Sequence, residues 1–390
     1  MDIKGLISLA FGTLCFGMSE FVAMGLIPFV AADFSVGTAT AGDLVSYYAT
    51  GVAFGAIAML FLHKYKLKNI LLLLLAIYVI GNTLTIFAPT LWSLLAARFI
   101  SGLPHGCYFG VGSIIASRLC PPGKNGGALS IMVSGMTIAN IFGVPLGTSL
   151  AEHISFRAVF ILNAVWGLIS LFSCARWVRD TGRVAYPSFR GQFSFMKNRA
   201  PWLIIGATFT GNAGIFCMQS YISPLLTDLA GISLSLVPGV LIIVGISMVV
   251  SNFVSGRMSD RITPGLVAFS CQCAAVVFML AIAVFGHISV IAIVLICLTS
   301  GMMFAMSLPE QVSILRVSPQ GMMLATAMIQ IAFNLGNALG AVAGGIPFRL
   351  ELSIRLITVI GAFIAATGAV LLWFFLKEER MLPSLKADKS

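Results

Sequence analysis

Charge is what this sequence has least of. Only 9% of its 390 residues are Asp, Glu, Lys or Arg, against 59% hydrophobic residues. Soluble domains carry about 25% charged residues, so 23 basic and 13 acidic side chains cannot clothe a chain of this length in water. The shortage excludes a soluble enzyme, a nucleic-acid-binding domain and a disordered segment. Catalytic signatures are missing too. The chain has no glycine-rich phosphate loop, no HExxH and no nucleophile elbow, so neither an enzyme nor an ATP-driven pump is expected. Its eight cysteines (15, 107, 120, 174, 217, 271, 273 and 297) form no CxxC or His-spaced cluster. They read as packing residues, with no metal site, no disulfide framework and no cofactor implied.

Long apolar runs are what the chain does have, with a mean hydropathy of +1.02. A membrane span needs about 20 apolar residues. The sequence divides into twelve spans at roughly 5–31, 40–62, 69–88, 91–118, 128–151, 156–177, 200–227, 236–256, 265–286, 288–311, 322–346 and 353–376, with boundaries good to about four residues. Pro89 parts the third span from the fourth, and Gly286-His287 the ninth from the tenth. Lys4 opens an apolar run to about Ala32, too long for a signal-peptide core and without a small-residue cleavage site, so it reads as a retained span.

The basic residues test this division. With the N-terminus in the cytoplasm, nineteen Lys and Arg fall on inside segments, and Arg157, Arg349 and Arg355 fall outside; Arg98 lies within a span. Cytoplasmic loops of membrane proteins collect Lys and Arg. The split predicts an even number of spans with both termini inside, and it accounts for the net charge of +10 without nucleic acid. The longest polar stretch divides the chain into a first half (1–178), a cytoplasmic linker (179–199), a second half (200–376) and a cytoplasmic tail (377–390). Short basic loops recur after the second span of each half: Lys64, Lys66 and Lys68 in the first, Gly256 to Arg261 in the second. The fold class is therefore all-α, twelve transmembrane helices in two six-helix halves.

Ionisable groups deep in a span are costly and mark functional candidates. Glu20 lies near the middle of the first span. Desolvation favours its neutral form, which suits a group that binds and releases protons; the alternative is a protonated carboxyl bonded to a neighbouring helix. Arg98 stays charged and needs a wet cavity, a carboxylate or a clamp of backbone carbonyls. His105 is two turns further on, which places both on one stripe; alternatively it is a hydrogen-bonded packing histidine. Asp43 and Glu310 lie close enough to an interface to be solvated; for Glu310 a gate role is the alternative. Asn140, Asn163, Asn212, Gln219, Tyr221, Gln330, Asn334 and Asn337 suit a neutral or weakly polar ligand. Small residues repeat every four positions in several spans: Gly51 and Gly55; Gly102, Gly106 and Gly110; Gly143 and Gly147 around Pro145; Ser247, Ser251 and Ser255; Gly336, Gly340 and Gly344. Such stripes allow close helix approach, and their recurrence in spans 2, 5, 8 and 11 suggests a sliding interface between the halves.

Several phrases resemble the major facilitator superfamily, specifically its twelve-span drug/proton antiporter branch and the bacterial arabinose (sugar) efflux permeases within it. They are Met18-Ser19-Glu20-Phe21 with Gly25-Leu26-Ile27-Pro28, Arg98 with Ser101-Gly102-Leu103-Pro104-His105-Gly106, Gly143-Val144-Pro145-Leu146-Gly147, and Gly256-Arg257-Met258-Ser259-Asp260-Arg261. Asn212-Ala213-Gly214 and the stretch from Gln330 to Gly345 look similar as well. The resemblance covers about 5–376. One departure is plain: where the first-half loop motif has an acidic residue and a glycine, this chain has His63 and Lys66.

The resemblance implies a bacterial inner-membrane transporter with a central cavity, working as a monomer in the bilayer on a small organic solute, sugar or drug-like, exported against protons. It needs a proton gradient and no cofactor. Glu20 and Arg98 would couple the proton. His105, Asn212, Tyr221 and Asn334 would contact the solute. Gly143, Pro145 and Gly147 form the antiporter motif, and Gly256, Asp260 and Arg261 a cytoplasmic gate. A uniporter or uptake carrier of the same fold, and a non-transporting membrane receptor or scaffold, stay open as alternatives.

Overall fold

The computed structural model describes residues 2–62, 65–121, 125–183, 194–318 and 322–381. Twelve long helical elements are present among them. The first six are α1 (Ile3–Asp33), α2 (Thr38–Leu62), α3 (Leu67–Ile86), α4 (Leu91–Arg118), α5, and α6 (Phe156–Trp177). Helix α5 is composite: Asn125–Ile138, a π-helical turn Ala139–Gly143, then Val144–His153. The second six are α7 (Arg199–Ser220), α8 (Val237–Arg261), α9 (Pro264–Phe285), α10 (Ser289–Val317), α11 (Met322–Gly344) and α12 (Leu356–Met381).

Local chemistry sets the helix ends. The Asp2 side chain accepts from Gly5 N–H at 3.2 Å and starts α1. Thr90 and Ser93 form a reciprocal capping box at the start of α4, satisfying amides that would otherwise be orphaned. Pro264 stands in the first turn of α9, where its missing N–H costs nothing. Eleven helical stretches among the described residues are long and apolar enough to cross a membrane. Their outward faces carry Trp92, Phe172 and Phe363, all more than half exposed, as lipid-facing surfaces do.

By internal contacts the chain forms two units, 1–186 with 232–245, and 187–231 with 246–390. The same packing recurs in each set of six helices. Helix α1 packs on α5 and α6, as α7 packs on α11 and α12; α3 packs on α4 and α6, as α9 packs on α10 and α12. The internal repeat is thus one of neighbours, stronger than the two similar loops suggested.

Three expectations need correction. The segment Gly256 to Arg261 is not a loop but the last turns of α8, leaving only Ile262 and Thr263 before α9. Residues 377–381, assigned to the tail, continue α12. The small-residue stripes are occupied inside each half rather than kept for sliding. A Cβ at Gly51 or Gly55 would meet the Phe99 or Leu103 carbonyl of α4, and one at Gly143 or Gly147 the side chains of Met18 or Val22 on α1. Gly336, Gly340 and Gly344 lie against the backbone of α7 at Phe209, Ala213 and Cys217, while Ser247 and Ser251 face Gly301 of α10.

Candidate functional site

In the first half, polar groups gather at the middle of α1. Glu20 is buried, with 6% of its surface exposed. His105 comes from α4, where Gly102 and Gly106 let that helix close on α2. Its Nε2 lies 3.9 Å from Glu20 Oε2, and its ring stacks on Phe16 at 5.2 Å. Tyr48 of α2 places its hydroxyl 3.1 Å from His105 Nδ1 and 3.5 Å from the Phe16 carbonyl. With Tyr48 donating along the shorter contact, the neutral imidazole carries its proton on Nε2, facing the carboxylate. At 3.9 Å the two groups are neighbours, farther apart than a hydrogen bond.

Arg98 approaches the same turn of α1 from the other side. It is fully buried. Nη2 donates to the Ser19 carbonyl at 2.8 Å and Nε to the Leu44 carbonyl at 3.4 Å. Its guanidinium lies 4.3 Å over the Tyr48 ring. These are the bonds of a carbonyl clamp joining α1, α2 and α4, with the positive charge close enough to interact with Glu20.

Ser19 ties in two further helices. Asn163 of α6 donates to Ser19 Oγ at 3.3 Å, Ser19 donates to Tyr78 Oη of α3 at 3.1 Å, and Tyr78 donates to the Cys15 carbonyl at 2.8 Å. Asn82 of α3 offers its Oδ1 to Ser19 at 3.3 Å. Sequence reasoning did not single out Ser19, Tyr48, Tyr78 or Asn82. The available signal was period: Tyr78 and Asn82 are one turn apart on one face of an otherwise apolar helix.

The second-half candidates serve packing bonds. Tyr221 donates to the Ala341 carbonyl at 3.1 Å and ties α7 to α11. Asn212 donates to the Thr208 carbonyl at 3.0 Å, and its buried Oδ1 accepts nothing. Asn334, 2% exposed, donates to the Gln330 carbonyl at 2.9 Å. A further pairing joins Ser300 of α10 to Gln219 of α7 at 2.7 Å. Glu310, expected to be solvated if not a gate residue, is instead buried at 1% exposure, on a helix packed against α7 and α9.

Of the antiporter-motif residues, Gly143 closes the π-turn of α5, and Pro145 and Gly147 are buried in the turns after it. Of the gate residues, Gly256 and Arg261 lie on the last turns of α8. The Asp260 side chain and His63 lie outside the described residues. Lys66 has an acidic partner after all: Asp180 accepts from its Nζ at 2.6 Å. That hydrogen bond holds the Asp180 carboxyl below the usual range. A cleft of about 680 Å³ opens beside it, lined by Asp2, Lys4, Arg118, Arg179 and Asp180. It is separate from the Glu20 cluster. No group of three metal-ligating side chains occurs among the described residues.

Residues 9–323 match the sequence model of the Major Facilitator Superfamily. The chain is 39% identical to AraJ of Escherichia coli (strain K12) over 373 residues, 95% of each chain. It is 32% identical to the inner membrane transport protein YdhP of the same strain over 375 residues, 96% of each. In fold it resembles the nucleoside transporter NupG, with a TM-score of 0.76 at 15% identity over 96% of this chain and 98% of that one. A D-xylose–proton symporter gives 0.74 at 14% over the same shares.

Proposed function

The chain belongs to the Major Facilitator Superfamily and is a multi-pass membrane transporter of a small solute, neither an enzyme nor dependent on a cofactor; from that premise we propose that it exports a neutral sugar or drug-like solute in exchange for protons. The observation that carries this reading is the buried Glu20–His105 pair, 3.9 Å apart on α1 and α4. A buried carboxyl beside an imidazole can hold a proton away from bulk water and release it when its surroundings rehydrate. Arg98 fixes α1 at the neighbouring residue and adds a positive charge that responds to that release. The side chains bonded to the Ser19 hydroxyl, those of Asn163, Tyr78 and Asn82, are uncharged, which favours a ligand held by hydrogen bonds rather than by ion pairing. The protein works as a monomer, and its place is the bacterial inner membrane, in line with the name of the YdhP relative. The energetics are adequate: one pH unit supplies about 1.36 kcal/mol per proton.

The test uses purified protein in liposomes loaded with a pH dye and challenged with pentoses and neutral drug-like compounds. A substrate should drive proton movement opposite to its own. Glu20→Gln keeps the volume but cannot release a proton. It should abolish ΔpH-driven accumulation while leaving solute binding within about twofold of wild type, under roughly 0.5 kcal/mol. A Glu20→Gln protein that still builds a gradient from ΔpH would place the proton path elsewhere.

A further inference from the structure

The second half contains a carboxyl that the exchange described above does not use. Glu310 lies on α10, 1% exposed, and neither of its oxygens accepts a hydrogen bond of normal geometry among the described residues. The polar group facing it is the Thr208 hydroxyl of α7. That hydroxyl is also buried and without a bond of normal geometry. One turn further along α10, on the same face, Ser313 is fully buried with its hydroxyl unbonded. Four buried oxygen atoms on two packed helices are therefore short of partners, in a fold where most buried polar atoms are satisfied.

No cation compensates for Glu310 among the described residues. On α9, the Cys271 thiol interacts with it electrostatically, and Cys273 is the other titratable group there. Helix α7 brings Arg199, exposed at its first turn, and buried Cys217. Helix α11 carries no titratable residue. Helix α8 brings Arg257, stacked 4.2 Å over Phe253, and the exposed Arg261 at its end. Arg316 of α10 is exposed. Asp228, in the turns after α7, is exposed as well. An ionised carboxylate cut off from donors, cations and water does not persist in a helix bundle. A neutral carboxyl does: it offers one donor and one acceptor, and a hydroxyl can answer both.

We propose that Glu310, with Thr208 and Ser313, is a second proton-binding site, located in the second half and independent of Glu20. It holds its proton while the α7–α10 contact is closed and releases it when that contact admits water. The transporter then has one proton-binding carboxyl in each half.

Infrared difference spectroscopy of the full-length protein in lipid tests this without a known solute. Subtracting Glu310→Gln from wild type at neutral pH should reveal the C=O stretch of a protonated buried carboxyl. The band should disappear as pH is raised and persist in Glu20→Gln. Should Glu310→Gln fail to fold, Thr208→Val keeps the carboxyl and removes its partner. The band should then move to higher frequency, as an unbonded carbonyl does, with a shifted titration midpoint. Identical carboxyl regions in wild type and Glu310→Gln at every pH would overturn the proposal. So would an unmoved band in Thr208→Val, or a band removed by sodium at constant pH, which would mark a metal-cation site. The outcome is separable from that for proton-coupled export: the band can stand where export does not, and export can stand with no band.

Discussion

Arg98 shows how a buried charge can serve architecture and chemistry together. Its hydrogen bonds go to the carbonyls of Ser19 and Leu44, and its face covers Tyr48. Truncation to Ala would strip two buried helical carbonyls of their second hydrogen bond and open a void where α1, α2 and α4 meet. Arg98→Ala should therefore cost about 3 kcal/mol or more, read as a lower unfolding midpoint in detergent. Arg98→Lys should recover less than half of it, since one ammonium cannot reproduce a planar fork directed at two carbonyls. Full recovery by Lys would show that charge alone matters. The sequence makes Glu20, Arg98 and His105 conspicuous because ionisable residues are rare in spans. It hides Tyr48, Tyr78 and Asn82, whose importance lies in neighbours more than 50 positions away. Glu310 misleads in the opposite way. Its place near a span end suggests water, and only the packing of α10 reveals that none reaches it.

Helices are legible where apolar length and local caps agree. The break at Pro89 and the one at Gly286-His287 both fall between observed elements. What a stripe of glycines packs against is not legible, because spacing reports a smooth face and not its occupant. Gly55 is a case where close approach demands glycine, since its Cβ would collide with the Leu103 backbone of α4. Gly239, in the first turn of α8, has nothing within 4 Å of that position. Gly55→Val should thus destabilise the first half by about 3 kcal/mol through overpacking. Gly239→Ala should be neutral or stabilising by about 0.5–1 kcal/mol from helix propensity. Thermal unfolding of both variants checks the pair, and equal effects would refute the assigned packing. The strap after α6 offers a further test. Asp180 pairs with Lys66, Asp180 also accepts from Gly182 N–H at 3.0 Å, and the Gly182 carbonyl accepts from Leu67 N–H at 3.0 Å. Gly182 holds φ +80, which a side chain would resist. The pairing lowers the folded-state pKa of Asp180, so its contribution is present above the unfolded value near about 3.9 and is lost as pH falls through the lowered one. Asp180→Ala, or acidification, should accelerate hydrogen exchange at the Leu67 amide and leave Leu71 unchanged.

Across the whole molecule, the side on which each connection emerges follows from contacts within each half. In the first half, Asp2 bonds to the Leu119 carbonyl and pairs with Arg179, Lys66 pairs with Asp180, and Arg118 reaches the Thr181 carbonyl. The N-terminus, the α2–α3 turn, the end of α4 and the end of α6 therefore share one end. Arg157 pairs with Asp33 at 2.9 Å and reaches the Ala88 carbonyl, gathering the α1, α3 and α5 exits at the other. The second half repeats the pattern. Gly265, opening α9, lies beside Glu379 near the end of α12, and Ser289, opening α10, bonds to the Ala230 carbonyl after α7. Each half thus alternates sides as six complete crossings require. Charge supplies the expected sidedness: with the N-terminus in the cytoplasm, nineteen Lys and Arg fall on inside segments of the sequence and three on outside ones, the bias that cytoplasmic loops carry. Reporter fusions after residues 190 and 385 should therefore read cytoplasmic, and those after 35 and 350 external. A fusion at 385 reading external would leave an odd number of crossings, and the matched packing of the two halves could not then place both termini on one side.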